Sequence, residues 1–279
     1  MQAKTQAATA IQEVVTTMME RVLKRVLKDD PFIKEVHHSN KPLYAALVPD
    51  EIFKGSHFER RFVTPFGGVW EKLAVVAAEK AHGHCKKGWS ISGNVGEERL
   101  KRIQEVLNRL EHRQPGVARN APDWDTELAY VLAGQGLVVP VTVVCDIFIH
   151  SASLAKRYAF ELKGPLPNSD QTKVSKEKMF KLLAMQPAQV DAAFYALPYN
   201  PYGSQKSDYQ WGFPMRWFDM RRDSCVLIGN EFWDLIGGAG TYDQFIHEVN
   251  LLGKDYRERI YREYLGIEPP PSAEDFILK

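Results

Sequence analysis

The sequence predicts a mixed α/β protein: a helical N-terminal portion, a sheet in the second half and a helical finish. Three observations predict it. Helical apolar periodicity dominates residues 1–136, β-branched runs begin abruptly at Leu137, and 44 % apolar against 25 % charged residues is ordinary for a buried core. In order, the first element is an amphipathic helix over 7–28. Ile11, Val14, Val15, Met18, Val22, Leu23 and Val26 recur on its stripe, and Asp29-Asp30-Pro31 stops it. "GGVWEKLAVVAAEKAHG" (67–83) is a second helix on Trp70, Leu73, Val76 and Ala77. "EERLKRIQEVLNRLEH" (97–112) is a third, and "WDTELAYVLAGQG" (124–136) a fourth that ends on glycine.

From Leu137 the pattern changes. "LVVPVTVVCDIFIH" (137–150) and "AKRYAFELK" (155–163) read as strands, and the short polar turn between them predicts an antiparallel hairpin. A helix over 170–185 follows. "VDAAFYALPYN" and "DSCVLIGNEFW" supply two more strands, and "TYDQFIHEVNLLGKDYRERIYREYLG" closes the chain as a helix. With no internal repeat, the 279 residues are expected to form a single domain: 1–136 mainly helical, 137–250 the core with its loops, 251–279 the C-terminal helix.

A net charge of +1 excludes a global basic field, so any nucleic-acid contact must be a local patch. Three scattered cysteines have no metal spacing and fit a reducing, cytoplasmic setting. The N-terminal "MQAKTQAATAIQEVV" lacks the apolar core of a signal peptide, and no run of 18 apolar residues offers a membrane span.

The chemistry is expected at the hairpin. Alternate strand residues face the same way, so Tyr158, Phe160 and Leu162 enter the core while Glu161 and Lys163 face oppositely. On the preceding strand Val143, Cys145, Ile147 and Ile149 share an apolar face, and Asp146 points away from it. If the strands pair, Asp146 and Glu161 converge at an edge of the sheet with Lys163 beside them. Two close carboxylates repel unless a cation sits between them, and oxygen ligands suit Mg²⁺. A lysine alongside can orient a water or stabilise charge on a phosphate, which together is equipment for metal-assisted phosphodiester hydrolysis. Glu161-Leu162-Lys163 is the single acid-x-Lys triplet in the chain. The bland reading is an edge-strand ion pair on a solvated face.

Asp146 followed by "FELKGP" resembles the PD-(D/E)XK nuclease signature, with Cys145 where proline often stands. "HFERRFVTPFGGVWEKLA" (57–74), "FYALPYNPYG" (194–203) and "VLIGNEFWDLIGG" (226–238) resemble segments of type II restriction endonucleases, and "ELKGPLPNSDQTKVSKEKM" is similar to their TdeIII/MjaII group. The resemblance implies a restriction-endonuclease-like α-β-β-α-β core and Mg²⁺-dependent cutting of double-stranded DNA at a short palindrome, GGNCC-like in that group. It implies a cognate DNA methyltransferase acting on the same site, and the two-fold axis of a palindrome, met by a chain with one nuclease signature and no internal repeat, predicts a homodimer on DNA. Asp146, Glu161 and the Leu162 carbonyl would hold the metal, and Lys163 would position the attacking water. A further carboxylate is expected from Glu71 or, second, from Glu127.

For DNA contact, Asn168, Ser169 or Asp170 would cap the next helix, with Gln171, Lys173 and Lys176 near its phosphate-facing end. "GSQKSDYQWGFPMRWFDMRRD" (203–223) is dense in aromatic and basic residues. Base reading is therefore expected from Lys206, Arg216, Arg221, Arg222, Tyr199, Asn200 and Tyr202. Arg60 and Arg61 look like phosphate contacts. A solvated helix face and a packed aromatic loop are the plain alternatives. His247-Glu248 lacks the second histidine of a zinc-protease helix, and no Walker-type loop is present. A repair or junction-resolving nuclease of the same fold, or a non-catalytic DNA-binding domain, are the rival functions.

Overall fold

The computed structural model describes residues 2–112 and 120–270, with side chains from Thr9 onward. In chain order the helices are α1 (Gln2–Lys24, extended by a wider turn over Arg25–Asp29), α2 (Lys34–Asn40), α3 (Pro42–Leu47), α4 (Asp50–His82), α5 (Glu97–Glu111), α6 (Trp124–Leu132), α7 (Ser169–Leu183), α8 (Asn230–Gly237) and α9 (Thr241–Arg259). The strands are β1 (Cys85–Gly96), β2 (Val138–Ser151), β3 (Lys156–Leu162), β4 (Met185–Gln186), β5 (Ala192–Leu197) and β6 (Val226–Ile228). The part of the expected C-terminal helix beyond residue 270 lies outside the described residues. Among the described residues no helix is long and apolar enough to cross a membrane.

The backbone divides into two compact units, 1–73 with 243–279, and 74–242. In the first, the stripe of α1 (Ile11, Val15, Met18, Val22, Leu23) is buried. Helix α9 is fastened to α1 by Tyr256 Oη donating to Glu20 Oε1 at 2.8 Å and Gln12 Nε2 donating to Glu248 Oε2 at 2.6 Å. The apolar face of α1 is thus spent within its own chain. Helix α4 starts at Asp50 rather than at 67 and runs through Pro65. A ladder of rings at i, i+4 holds it straight through: Phe58–Phe62, Phe62–Phe66 and Phe66–Trp70 lie 6.1, 5.2 and 4.8 Å apart. Packing of that stripe outweighs the lost proline hydrogen bond.

The second unit is a six-stranded mixed sheet in the order β4-β1-β2-β3-β5-β6. The expected hairpin is present, with Ile147 opposite Phe160 and Phe148 opposite Ala159. Strands β3, β5 and β6 run parallel, which needs a crossover, and α7 supplies it between β3 and β5. Strand β1 was not expected. Its sequence "CKKGWSISGNVG" is half-exposed, lysine- and glycine-rich, and weak in β-formers, yet it pairs with β2 from Cys85↔Ile149 to Gly96↔Val138. The paired register skips Gly88, opposite Asp146, where φ is +60°, a conformation glycine adopts without strain.

The main core joins α5 (Ile103, Val106, Leu107, Leu110), Trp124 of α6, Met179 and Phe180 of α7, and Tyr195, Trp217 and Phe218. Inside it lies a buried ion pair: Lys176 Nζ is 2.5 Å from Glu127 Oε2, both side chains essentially without exposure. The ammonium also donates to the Trp217 carbonyl and faces the rings of Phe218, Phe180 and Trp124. Burial pushes Glu127 up and Lys176 down from their ordinary values, each against the pull of its partner. Breaking such a pair leaves one charge unpaired. Glu127→Gln is therefore expected to lower the unfolding free energy by about 3–5 kcal/mol in a urea titration, whereas Glu127→Leu combined with Lys176→Met should lose far less.

Candidate active site

Strands β2 and β3 lie in the middle of the sheet, so the expectation of a lateral sheet edge is corrected: the chemistry sits at the C-terminal end of β3. One step beyond the last hairpin pair, Ile147↔Phe160, the same register brings Asp146 beside Glu161. Leu162 N donates to Asp146 Oδ2 at 2.9 Å and fixes that carboxylate. The chain then leaves the sheet at "GPLP". Tyr209 Oη donates to the Pro165 carbonyl and Trp211 Nε1 to the Pro167 carbonyl, each at 2.9 Å. The exit loop is thereby tied to the aromatic loop 203–223. Asn168 is the cap of α7, its Oδ1 accepting from Gln171 N at 2.8 Å.

Lys163 stands between the two acids, its Nζ 2.6 Å from Asp146 Oδ2 and 3.2 Å from Glu161 Oε2. Asp146 and Lys163 keep about a fifth of their side-chain surface, 20 % and 19 %, while Glu161 keeps 1 %. Glu161 was expected on an open face. Helix α7 covers it instead: Ser175 Oγ reaches Glu161 Oε2 at 3.2 Å and Lys178 Nζ reaches Glu161 Oε1 at 2.8 Å. Burial pushes the Glu161 carboxyl above the usual carboxylate range, opposed by Lys163 and Lys178. Burial would likewise depress the Lys163 ammonium, but Glu161 and Asp146 outweigh it and raise it. Lys163 is therefore a cation in this arrangement.

Among the described residues no group of three or more His, Cys, Asp or Glu side chains is placed to hold a metal. The donors at this site are two carboxylates that already share one cation, with the Leu162 carbonyl next in the chain. Such an all-oxygen, partly exposed set fits a hard divalent ion that keeps several of its waters.

The other expected residues differ in burial and in the partners they hold. Lys176 is the correction. It lies fully buried on Glu127, so it cannot reach a phosphate, and the same pairing commits Glu127. Lys173 holds Glu111 at 2.5 Å. Lys206 donates to the Asp223 and Val226 carbonyls at 2.8 and 2.6 Å and staples its loop. Arg221 Nε holds the Tyr209 carbonyl at 2.8 Å. Asn200 builds a turn, donating to the Gln205 carbonyl and accepting from Tyr202 N. Tyr199 is half-buried, whereas Tyr202, Arg222 and Gln171 are exposed. Arg216 is half-buried and lines a 340 Å³ hollow with Ser169, Gly212, Phe213 and Met215. In the first unit, Arg61 is ion-paired with Asp30 (Nε–Oδ2 2.7 Å), Arg60 is exposed, and Glu71 is half-buried on α4. Ser175 and Lys178 were missed. Their signal was the i, i+3 stripe of α7 alternate to the Lys173/Lys176 stripe.

Two acids and a lysine meet at the end of adjacent strands of a mixed sheet, the arrangement that the resemblance to PD-(D/E)XK nucleases led one to expect. A family model described as "HinfI: Type II restriction endonuclease, HinfI" matches residues 7–253, and the chain belongs to that family. The expected membership of the type II restriction endonucleases is thus shown, through the HinfI family model. The chain is similar to three type II restriction enzymes of Herpetosiphon aurantiacus. HgiEI is 25 % identical over 250 residues, covering 86 % of this chain and 89 % of the relative. HgiBI is 24 % identical over the same shares, and HgiCII is 22 % identical over 259 residues, 91 % and 93 %. The protein is a type II restriction endonuclease, a site-specific deoxyribonuclease whose family acts on double-stranded DNA, and such enzymes generally depend on a divalent metal.

Asp146→Asn, Glu161→Gln and Lys163→Met should each reduce cutting of duplex DNA to the level of an enzyme-free control. Asp146→Asn and Lys163→Met should melt close to the parent. Glu161→Ala should melt well below it, because it opens a buried space and strips two lysines of their acceptor. A Glu161→Gln enzyme that still cuts at the parent rate would remove the site assignment.

Proposed function

We propose that this chain hydrolyses both strands of duplex DNA at a short palindrome, GGNCC-like, with Mg²⁺ as its metal and as a homodimer on DNA. The observation that carries the reading is the convergence of Asp146, Glu161 and Lys163. Asp146, Glu161 and the Leu162 carbonyl would hold the ion. When bound, Mg²⁺ supplies Lewis-acid polarisation of the scissile phosphate and lowers the pKa of a coordinated water. Lys163 has the position and the charge to steady a phosphate oxygen or the attacking water. The reading keeps the chain as one nuclease domain working in the cytoplasm, protected by a methyltransferase for the same site.

The DNA-facing surface is read as the rim around this site. Arg222 is exposed, Arg216 is half-buried within reach of the Glu111 charge, and Tyr202 and Gln171 are exposed nearby in sequence to the tied loops. Leu166 and Phe213 are 49 % and 56 % exposed on those loops, apolar groups that suit contact with base edges. Arg60 is read as a phosphate contact and Glu71 as an additional catalytic carboxylate. The homodimer follows from symmetry: one active site cuts one strand, and a two-fold DNA site asks for two equal reading surfaces.

A plasmid digest with Mg²⁺, with EDTA, and with sequencing of the ends tests the whole reading. Discrete ends at one palindrome, lost in EDTA, are expected; structure-dependent cuts at branched DNA would replace it with a resolvase. Arg216→Ala or Arg222→Ala should cost on the order of 1–3 kcal/mol on the cognate site if either reads a base. Arg60→Ala should instead weaken all duplexes and flatten the salt slope by about one unit. Glu71→Gln should slow cutting more than Glu127→Gln does once the latter's lower stability is allowed for. Light scattering of the DNA complex should give two chains per duplex.

A further inference from the structure

The two oxygens of Glu161 are divided between different donors. Oε1 accepts from Lys178 Nζ at 2.8 Å, while Oε2 accepts from Lys163 Nζ and Ser175 Oγ, each at 3.2 Å. Asp146 Oδ2 is shared by Lys163 Nζ at 2.6 Å and Leu162 N at 2.9 Å. Lys163 thus occupies the point between the two carboxylates. A divalent cation held by both acids would displace the ammonium from between them, since two cations repel at that distance. Glu161 has almost no solvent to replace the lost ammonium. Only Ser175, a neutral hydroxyl, and Lys178 would remain on it.

We propose that Lys178 is a positioning residue of the active site, holding the Oε1 edge of Glu161 so that Oε2 stays turned toward Asp146 when a divalent cation replaces the Lys163 ammonium. Lys178 is placed for this by the rigidity of its helix. Helix α7 is capped by Asn168, fastened to β5 through Thr172 Oγ1 and Tyr195 Oη at 3.0 Å, and anchored in the core by Lys176. Ser175 and Lys178 lie one turn apart on one stripe, so both reach the same carboxylate. The two lysines then divide the work: Lys163 is the mobile charge that turns toward the phosphate, and Lys178 is the fixed one. The inference rests on the metal-dependent reading above.

The test uses the full chain with Lys178→Met, Lys178→Arg and Lys178→Gln. Ca²⁺ binding is measured by calorimetry without DNA, alongside melting temperature, the Mg²⁺ concentration for half-maximal cleavage, and KM for DNA. Loss of a partner that orients a metal ligand is expected to weaken Ca²⁺ binding about 10–100-fold and to raise the Mg²⁺ requirement by a similar factor. KM for DNA should be unchanged at saturating Mg²⁺, and Lys178→Arg should recover most of the loss. Parent-like Ca²⁺ affinity in Lys178→Met would overturn the proposal. So would a rise in KM for DNA with unchanged Ca²⁺ binding, which would make Lys178 a phosphate contact. If Lys178→Met does not fold, Lys178→Gln decides by the same two readings. A parent enzyme that binds no Ca²⁺ and cuts DNA in EDTA would instead sink the metal-dependent reading itself.

Discussion

A single buried carboxylate organises the catalytic end of this protein. Glu161 sits in the central strand β3 with 1 % of its side chain exposed. An ionised acid at such depth is tolerated only with opposite charge and hydrogen bonds on its oxygens. Those partners come from three places: Lys163 two residues on, and Ser175 and Lys178 from α7. Meeting that demand fixes where α7 must lie. It also explains why the helix begins on a firm Asn168 cap and why its first turns are bonded to Tyr195 and Trp217. The exit loop between β3 and α7 inherits the same constraint, and Tyr209 and Trp211 hold its two proline carbonyls.

Helix α7 carries two buried-charge devices of opposite purpose. Lys176 points into the core, where Glu127 and three aromatic rings enclose it, and nothing in solution can reach it. Lys178, two positions on and so on the other flank of the helix, meets Glu161 at the margin of solvent with 28 % of its side chain exposed. The first pair locks α7 to α6; the second makes the helix a roof over the candidate site. A helix held on both flanks in this way cannot slide without breaking an ion pair, which gives the site its preorganisation.

The convergence of Asp146, Glu161 and Lys163 was legible because it depends only on pleat geometry and adjacency. Alternation put Glu161 and Lys163 on one face, and a tight turn forced β2 to pair with β3, bringing Asp146 into register. Depth was not legible. Whether Glu161 faces water or a helix is decided by α7 packing over it, and the lateral position of β3 depended on β1, whose lysines and glycines hide its strand character. For the same reason Lys176 read as a DNA contact and Lys178 went unnoticed. The two are chemically identical in sequence, and only the tertiary placement of Glu127 and Glu161 tells them apart. Helix α4 shows the matching failure in local terms: a helix was expected only from residue 67, and a ladder of four rings carries it across Pro65 from Asp50.

The charges around Glu161 also set the order of events at the site. Asp146 and Glu161 carry two negative charges, and Lys163 and Lys178 two positive ones, so the cluster is neutral as it stands. Neutrality lets the chain fold with two acids side by side before any ion is present. A divalent cation held there would tip the cluster positive, and Lys163, the one ammonium that touches both carboxylates, is the charge it would displace, whereas Lys178 touches Glu161 alone. A positive surplus at a surface opening favours an incoming phosphate. On the proposed reading, charge balance alone would couple ion binding to DNA binding: neither carboxylate would be left bare, and an ion held between them would add the positive charge that draws in a phosphodiester.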